Sequence, residues 1–158
     1  MKYSAGIIPF RKNDNGEMEF LLGHPGGDMW QRIDYWSFLK GGVEKNETWT
    51  DAAIREFKEE SGLTMDDCDS SMLIPLGTAL QNPRKTVIAY GLHYPNIDTS
   101  KCHSNMANNG INVEIDRYKW MTYKELESRT HETHLIFYKK LIDLDEYYSK
   151  DRSDMENG

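Results

Sequence analysis

Three carboxylates, Glu56, Glu59 and Glu60, stand within one run, Arg55-Glu-Phe-Lys-Glu-Glu60. On a helix turning about 100° per residue they share one narrow arc, beside an apolar stripe of Trp49, Ala53 and Phe57. Like charges so placed oppose each other by roughly 0.2–0.5 kcal/mol per pair. Glu59 and Glu60 also fall in the last turn before Ser61-Gly62, where the helix dipole disfavours acids. Arg55 relieves Glu59 at i,i+4, but one guanidinium does not neutralise three acids. The plain alternative is a solvated acidic face on an acidic protein. Two local penalties at the edge of an apolar stripe favour a bound cation instead, and hard carboxylate oxygens select Mg²⁺ or Mn²⁺.

The elements that would position these acids are readable on both sides of them. Thr48-Trp-Thr-Asp51 has the form of a capping box and Ser61-Gly62 is a stop signal, which bound the helix; Asp51, Arg55 and Lys58 take its outward face. Ahead of it, residues 36–39 read as a short strand leading into Lys40-Gly41-Gly42, so the order is strand, glycine loop, helix. Residues 2–10 and 18–23 read as a hairpin across the turn residues 12–16, and His24-Pro-Gly-Gly27 as a loop. Residues 72–80 and 86–94 read as a second strand pair. The Asn- and Ser-rich segment 96–110 has no periodicity and reads as a mobile loop. Residues 116–121 return to a strand, Thr122-Tyr-Lys-Glu125 caps a short helix, and Leu135, Tyr138, Leu141, Ile142 and Tyr147 predict a closing helix. The alternation predicts a single α/β domain over 1–149, with a polar, disordered tail at 150–158.

Gly41, five residues, Glu47, seven residues, Arg55-Glu56-Phe57, one residue, Glu59-Glu60, one residue, Gly62-Leu63 fills every fixed position of the Nudix box. On that match the chain resembles small bacterial and phage members of the Nudix hydrolases. The resemblance implies an α/β/α sandwich around a mixed sheet, with the box helix at the catalytic edge. It also implies a loop–helix–loop that binds divalent metal and the diphosphate of a nucleoside diphosphate linked to another group. Glu56, Glu59 and Glu60 would be metal ligands, the carbonyl of Lys40 a further one, and Glu59 and Glu60 catalytic. Gly41, Glu47, Arg55 and Gly62 would support the site, Glu47 and Arg55 as a structural pair. Family members often recruit an acid outside the box. Glu114, six residues before Trp120, is the candidate ligand or base, with Asp116 its rival. The chain departs from its relatives at Leu39, where they carry proline, and at 96–110, where theirs is longer and more aromatic.

For the substrate, Tyr3, Trp36 and Phe38 are candidate walls for a base, although aromatic residues on strands are usually core. Arg84 and Lys85 are candidates for a distal phosphate. His131 and His134 have the wrong spacing for a zinc helix and read as polar first-turn residues of the last helix; His24 reads as a loop residue. The functional expectation is a metal-dependent pyrophosphohydrolase acting on dinucleoside polyphosphates or ADP-ribose- or FAD-like compounds. Nucleoside triphosphates and RNA 5′ ends are the alternatives within the class. A nucleotide-sensing Nudix module is the non-enzymatic alternative, disfavoured because no acid of the box is lost. The net charge of −7 and the lack of a basic stripe argue against long nucleic acid. The two cysteines, Cys68 and Cys102, lack ligand spacing, and no apolar run suits a membrane. The expectation is therefore a cytoplasmic protein, of a bacterium or a phage-infected cell, with a small-molecule nucleotide substrate; a homodimer is left open.

Overall fold

The first apolar run becomes β1 (Lys2–Lys12), the strand on which the sheet is built. Successive side chains of a strand face opposite sides. In β1 both sides are apolar, with Ala5 and Ile7 on one and Ile8 on the other. A strand buried on two faces needs a layer over each. Those layers are present in the computed structural model, which describes residues 1–66, 68–107 and 110–157, with side chains through residue 150. β1 pairs in parallel with β5 (Lys85–His93) and antiparallel with β2 (Met18–Pro25) and β3 (Leu39–Gly42). With β4 (Ile74–Asn82) and β6 (Ile115–Thr122), the described residues form a six-stranded mixed sheet ordered β4-β5-β1-β2-β6, β3 lying against β1.

One layer is α1 (Trp49–Ser61), whose Ala52, Ala53 and Phe57 close over Ile7, Leu21 and Leu39. The other is α3 (Leu135–Asn157), whose Phe137, Tyr138 and Leu141 cover Ile8, Phe20 and Val87. Between β6 and α3 runs the short α2 (Tyr123–Leu126), held by a reciprocal capping box between Thr122 and Glu125. The α/β/α sandwich inferred from the sequence is the fold that forms. Phe57 is fully buried, so its truncation to Ala would cost about 3–5 kcal/mol. No helix among the described residues is long and apolar enough to cross a membrane.

Several boundaries depart from the sequence reading. Residues 36–38 are not a strand: Ser37 makes an isolated bridge to Gly23, and the ladder starts at Leu39 and continues through the glycines. Gly6 explains the position, because a Cβ there would overlap the Leu39 carbonyl oxygen. Trp49 is not in the buried stripe; it is 44% exposed and stacks on Tyr3 at 6.0 Å, while Ala52 takes its place in the core. Segment 96–110 is not simply loose, since its described part docks on α1 as set out below. The helix expected to stop near 150 has no proline or glycine before Gly158, and α3 continues to Asn157. Gly158 lies outside the described residues.

Candidate active site

The site is built on α1, and its N-terminal end is closed by charge pairing. Thr48 caps the helix by accepting from the Asp51 N–H at 3.1 Å. Arg55 Nε and Nη2 donate to the two oxygens of Glu47 at 2.8 and 3.0 Å, the bidentate arrangement that fixes both partners. The same guanidinium donates to the Gly42 carbonyl at 2.8 Å, tying the glycine loop to the helix. Glu47 also accepts from the Glu44 N–H at 3.0 Å. Hydrogen bonding by Arg55, then by Glu44, lowers the Glu47 carboxyl to about 2. Arg55 is thus not on an outward face but at the hub of the loop.

At the C-terminal end the same residue type is in the opposite condition. Glu60 is 7% exposed, and its carboxyl is pushed up to about 8, by burial first and then by Glu56 and Glu114. The Lys40 ammonium and main-chain N–H oppose that shift without cancelling it. Glu56 is raised by burial and by Glu59 and Glu114, against the pull of Arg55. Its carboxyl lies flat against Gly41, where any Cβ would overlap it. Gly41 is therefore a cradle for an acid. Arg55 Nη1 reaches Glu56 at 2.8 Å and Glu59 at 3.3 Å, so one cation is spread over several acids.

The charge of Glu114 acts on both half-buried Glu56 and buried Glu60, which joins it to the box acids; Asp116 is engaged elsewhere. The Asp116 carboxylate takes His24 Nδ1 at 2.8 Å. Glu114 is held at its backbone, its N–H donating to the Asn105 carbonyl at 3.0 Å and its carbonyl accepting from Gly26 at 2.9 Å. Among the described residues no group of three His, Cys, Asp or Glu side chains is closed into a cage for a metal ion. The donor set still fits a hard divalent cation: all donors are carboxylates, two are partly or largely desolvated without enough positive charge, and one sits in a glycine cradle.

The predicted substrate residues divide. Trp36 and Phe38 are not a wall for a base, since both belong to the core layer on the α3 side. Trp36 donates from Nε1 to Asp34 at 2.8 Å, and Phe38, 1% exposed, packs edge-on against Phe137 and His134. Tyr3 remains 42% exposed at the rim. Arg84 and Lys85 lie at the β4–β5 turn, beside Tyr3 and Gly42. The Lys40 amide N–H meets the Glu60 carboxylate. Burial and then neighbouring Lys85 bring its ammonium down to about 8.

Other contacts were not legible in advance. The segment after Cys102 covers the end of α1: His103 N–H donates to Ser61 O at 3.0 Å, Asn105 N–H to Glu59 O at 2.9 Å, and the Tyr118 hydroxyl to Glu60 O. Three successive terminal carbonyls are thereby satisfied, and the orphan carbonyls of any helix end were the one available signal. The His103 ring occupies the space a side chain at Gly62 would need. His24 is not a loop residue but a buried one on β2, with Nε2 donating to Ile33 O at 2.7 Å. His134 is buried too, bonded to Gln81 at 2.8 Å, and not a solvated first-turn residue.

A strand, a glycine loop and a helix bearing this acid pattern over a mixed sheet define a class, and the NUDIX domain family model matches residues 2–143. The chain belongs to the Nudix family and is a pyrophosphohydrolase of that family by its complete box. Among solved structures it is similar to a C. elegans Ap4A hydrolase in a binary complex, at TM-score 0.66 and 22% identity over 92% of this chain and 98% of that one. The NUDIX domain of Shewanella oneidensis NrtR, complexed with ADP ribose, matches at TM-score 0.63 and 12% identity over 90% of this chain and 87% of that one. A MutT/nudix family protein from Enterococcus faecalis matches at TM-score 0.57 and 16% identity, over 77% of this chain but only 43% of that one. No curated protein matches the sequence.

Proposed function

We propose that this protein hydrolyses a phosphoanhydride bond in a nucleoside diphosphate linked to a further group, with dinucleoside polyphosphates and ADP-ribose- or FAD-like compounds as substrate classes. The observation that carries the reading is the pair Glu56 and Glu60, desolvated, mutually repelling and faced by Glu114, on a helix whose other end is fully paired. Glu56, Glu59 and Glu60 would hold Mg²⁺ or Mn²⁺, with the Lys40 carbonyl as a further ligand. The ion supplies charge neutralisation on the phosphates and an acidified water. Arg55 keeps the loop and helix in register through Glu47 and Gly42. Glu114 accepts the proton of the attacking water at its carboxylate; the water oxygen bonds to phosphorus, the P–O–P bond breaks, and the bridging oxygen leaves on the other product. The acidic surface favours a small nucleotide over long RNA, and the cytosol is the compartment that fits such a substrate.

Incubation in ¹⁸O-labelled water with Mg²⁺ or Mn²⁺, against diadenosine tetraphosphate, ADP-ribose and FAD, tests this reading. The expected result is a mononucleotide product and label on a phosphorus of the cleaved anhydride. Efficient release of phosphate from AMP, with the anhydrides untouched, would overturn it.

A further inference from the structure

Glu114 is an exposed residue on a bend just ahead of β6, so no helix or strand of its own holds it. The main chain holds it from both sides, through the Asn105 carbonyl at its N–H and the Gly26 N–H at its carbonyl. Gly26 can take no side chain, since a Cβ there would overlap the Val113 carbonyl oxygen. Residues 105–107 and 112–114 run antiparallel: Met106 bridges Val113, and the Ala107 N–H donates to the Asn112 carbonyl at 2.7 Å. Glu114 therefore ends the second arm of a short hairpin, and the first arm starts at the tip of α1.

That first arm is set in register on the box helix. The Asn105 N–H donates to the Glu59 carbonyl at 2.9 Å, and the Asn105 carbonyl accepts from the Glu114 N–H at 3.0 Å. One residue thus stands between the main chains of the two acids. A second connection runs beside it. The Tyr118 hydroxyl donates to the Glu60 carbonyl and adjoins the Ser104 hydroxyl, and Ser104 Oγ accepts from the Ile115 N–H at 3.1 Å. Carbonyls of a helix are fixed relative to its axis, so both connections measure residues 114 and 115 off the residues that carry the box acids. A cap alone would need no such relay, because water or a turn at glycine satisfies terminal carbonyls.

We infer that Ser104 and Tyr118 are positioning residues, whose hydroxyls set the main chain of 114–115 against residues 59–60 and so aim Glu114 at the box acids. The inference rests on the hydrolase reading above and deepens it by naming what places its base. The charge of Glu114 is felt by both Glu56 and Glu60, and that convergence is what the relay maintains. Neither hydroxyl has to touch the substrate; each acts through Glu114.

A double-mutant cycle tests it, since residues that act through one another are not additive. S104A/Y118F is made in the wild type and in E114Q, and folding is checked by circular dichroism and Tm. With the anhydride that the wild type cleaves fastest, kcat should fall about tenfold in the wild-type background at little changed KM, because a misplaced base costs rate rather than binding. In E114Q the same substitutions should cost less than about twofold. An equal loss in both backgrounds would make the two hydroxyls merely structural, and no loss in the wild type would make them idle; either result overturns the inference. Should the pair not fold, S104A and Y118F each carry the same cycle alone. The cycle is read again without substrate, as Mn²⁺ affinity from the electron paramagnetic resonance signal of the free ion. Binding should weaken about threefold or more in the wild-type background and stay unchanged in E114Q, because the relay brings the charge of Glu114 to the cluster. Equal weakening in both backgrounds, or none in either, also overturns the inference. If the wild type cleaves no anhydride, the hydrolase reading fails, and the Mn²⁺ cycle alone decides whether the relay aims Glu114.

Discussion

At the N-terminal end of α1, Glu47 accepts two hydrogen bonds from Arg55 and its carboxyl is held down to about 2; at the other end Glu60, buried among acids, is pushed up to about 8. The two glutamates lie on one motif and differ only in what surrounds them. Glu47 has its counter-charge within the chain, so it is scaffolding. Glu60 has only the partial pull of Lys40, outweighed by burial and by Glu56 and Glu114, so positive charge is in deficit around it. A residue that is electrostatically complete supports a site; one left incomplete at a cost to stability points to what binds there.

The largest consequence of the contrast falls on activity. Glu60→Gln should leave the fold intact and stabilise the metal-free protein, because an amide never has to ionise in the buried position. Turnover should nevertheless fall at least about 10³-fold, since the charge that organises the phosphates is lost. Near-normal turnover in that variant would place the deficit outside the chemistry. Next in size is the acid outside the box. Glu114→Gln should lower kcat by about 10²-fold with little change in KM. Asp116→Asn should act less on kcat and more on stability, because Asp116 holds buried His24. If the two variants exchange these phenotypes, the roles assigned to the two acids must be exchanged as well.

The smallest effect is expected at the paired end. Glu47→Ala removes the clamp on Arg55, a partly exposed pair, and should cost about 1 kcal/mol, or a drop of about 2–4 °C in Tm for a chain of this length. Activity should fall only as far as the glycine loop moves. A loss of turnover as deep as that of Glu60→Gln, at unchanged Tm, would make Glu47 part of the chemistry and erase the distinction between the ends.

What the sequence disclosed was what depends on neighbours along the chain. The acid arc of Glu56, Glu59 and Glu60, the stop at Gly62 and the Glu47–Arg55 partnership all lie within one loop and one helix. The alternation of strands and helices likewise sufficed for the sandwich. Side chains whose role depends on a distant segment were misread. Phe38 and Trp36 looked like a wall beside the box, but both fold into the α3 layer, Phe38 edge-on against Phe137 and His134 and Trp36 edge-on against His24. His24 looked like a loop residue because Asp116, which fixes it, is far away in sequence. The described part of segment 96–110 looked mobile because the carbonyls it satisfies belong to α1. Glu114 differs from Asp116 only in the folded chain, where its charge raises the carboxyls of Glu56 and Glu60 while Asp116 bonds His24.

Thermal unfolding measured from pH 5 to 8, with and without millimolar Mg²⁺ or Mn²⁺, on wild type and Glu60→Gln, tests the central claim most directly. The Glu60 carboxyl rises from an ordinary 4.5 to about 8 in the folded protein. Its contribution to stability is therefore full below about 4.5 and lost as pH climbs toward 8. Glu47 works the other way, stabilising above 4.5 and losing that effect only as pH falls toward 2, below the range scanned. Without metal, the wild-type Tm should fall across the range relative to Glu60→Gln. With metal it should rise by mass action, and the gain should widen with pH as the ionised carboxylate meets its cation. A wild-type Tm indifferent to both metals, or a pH slope and metal response kept unchanged in Glu60→Gln, would contradict the assignment of this acid cluster as the cation site.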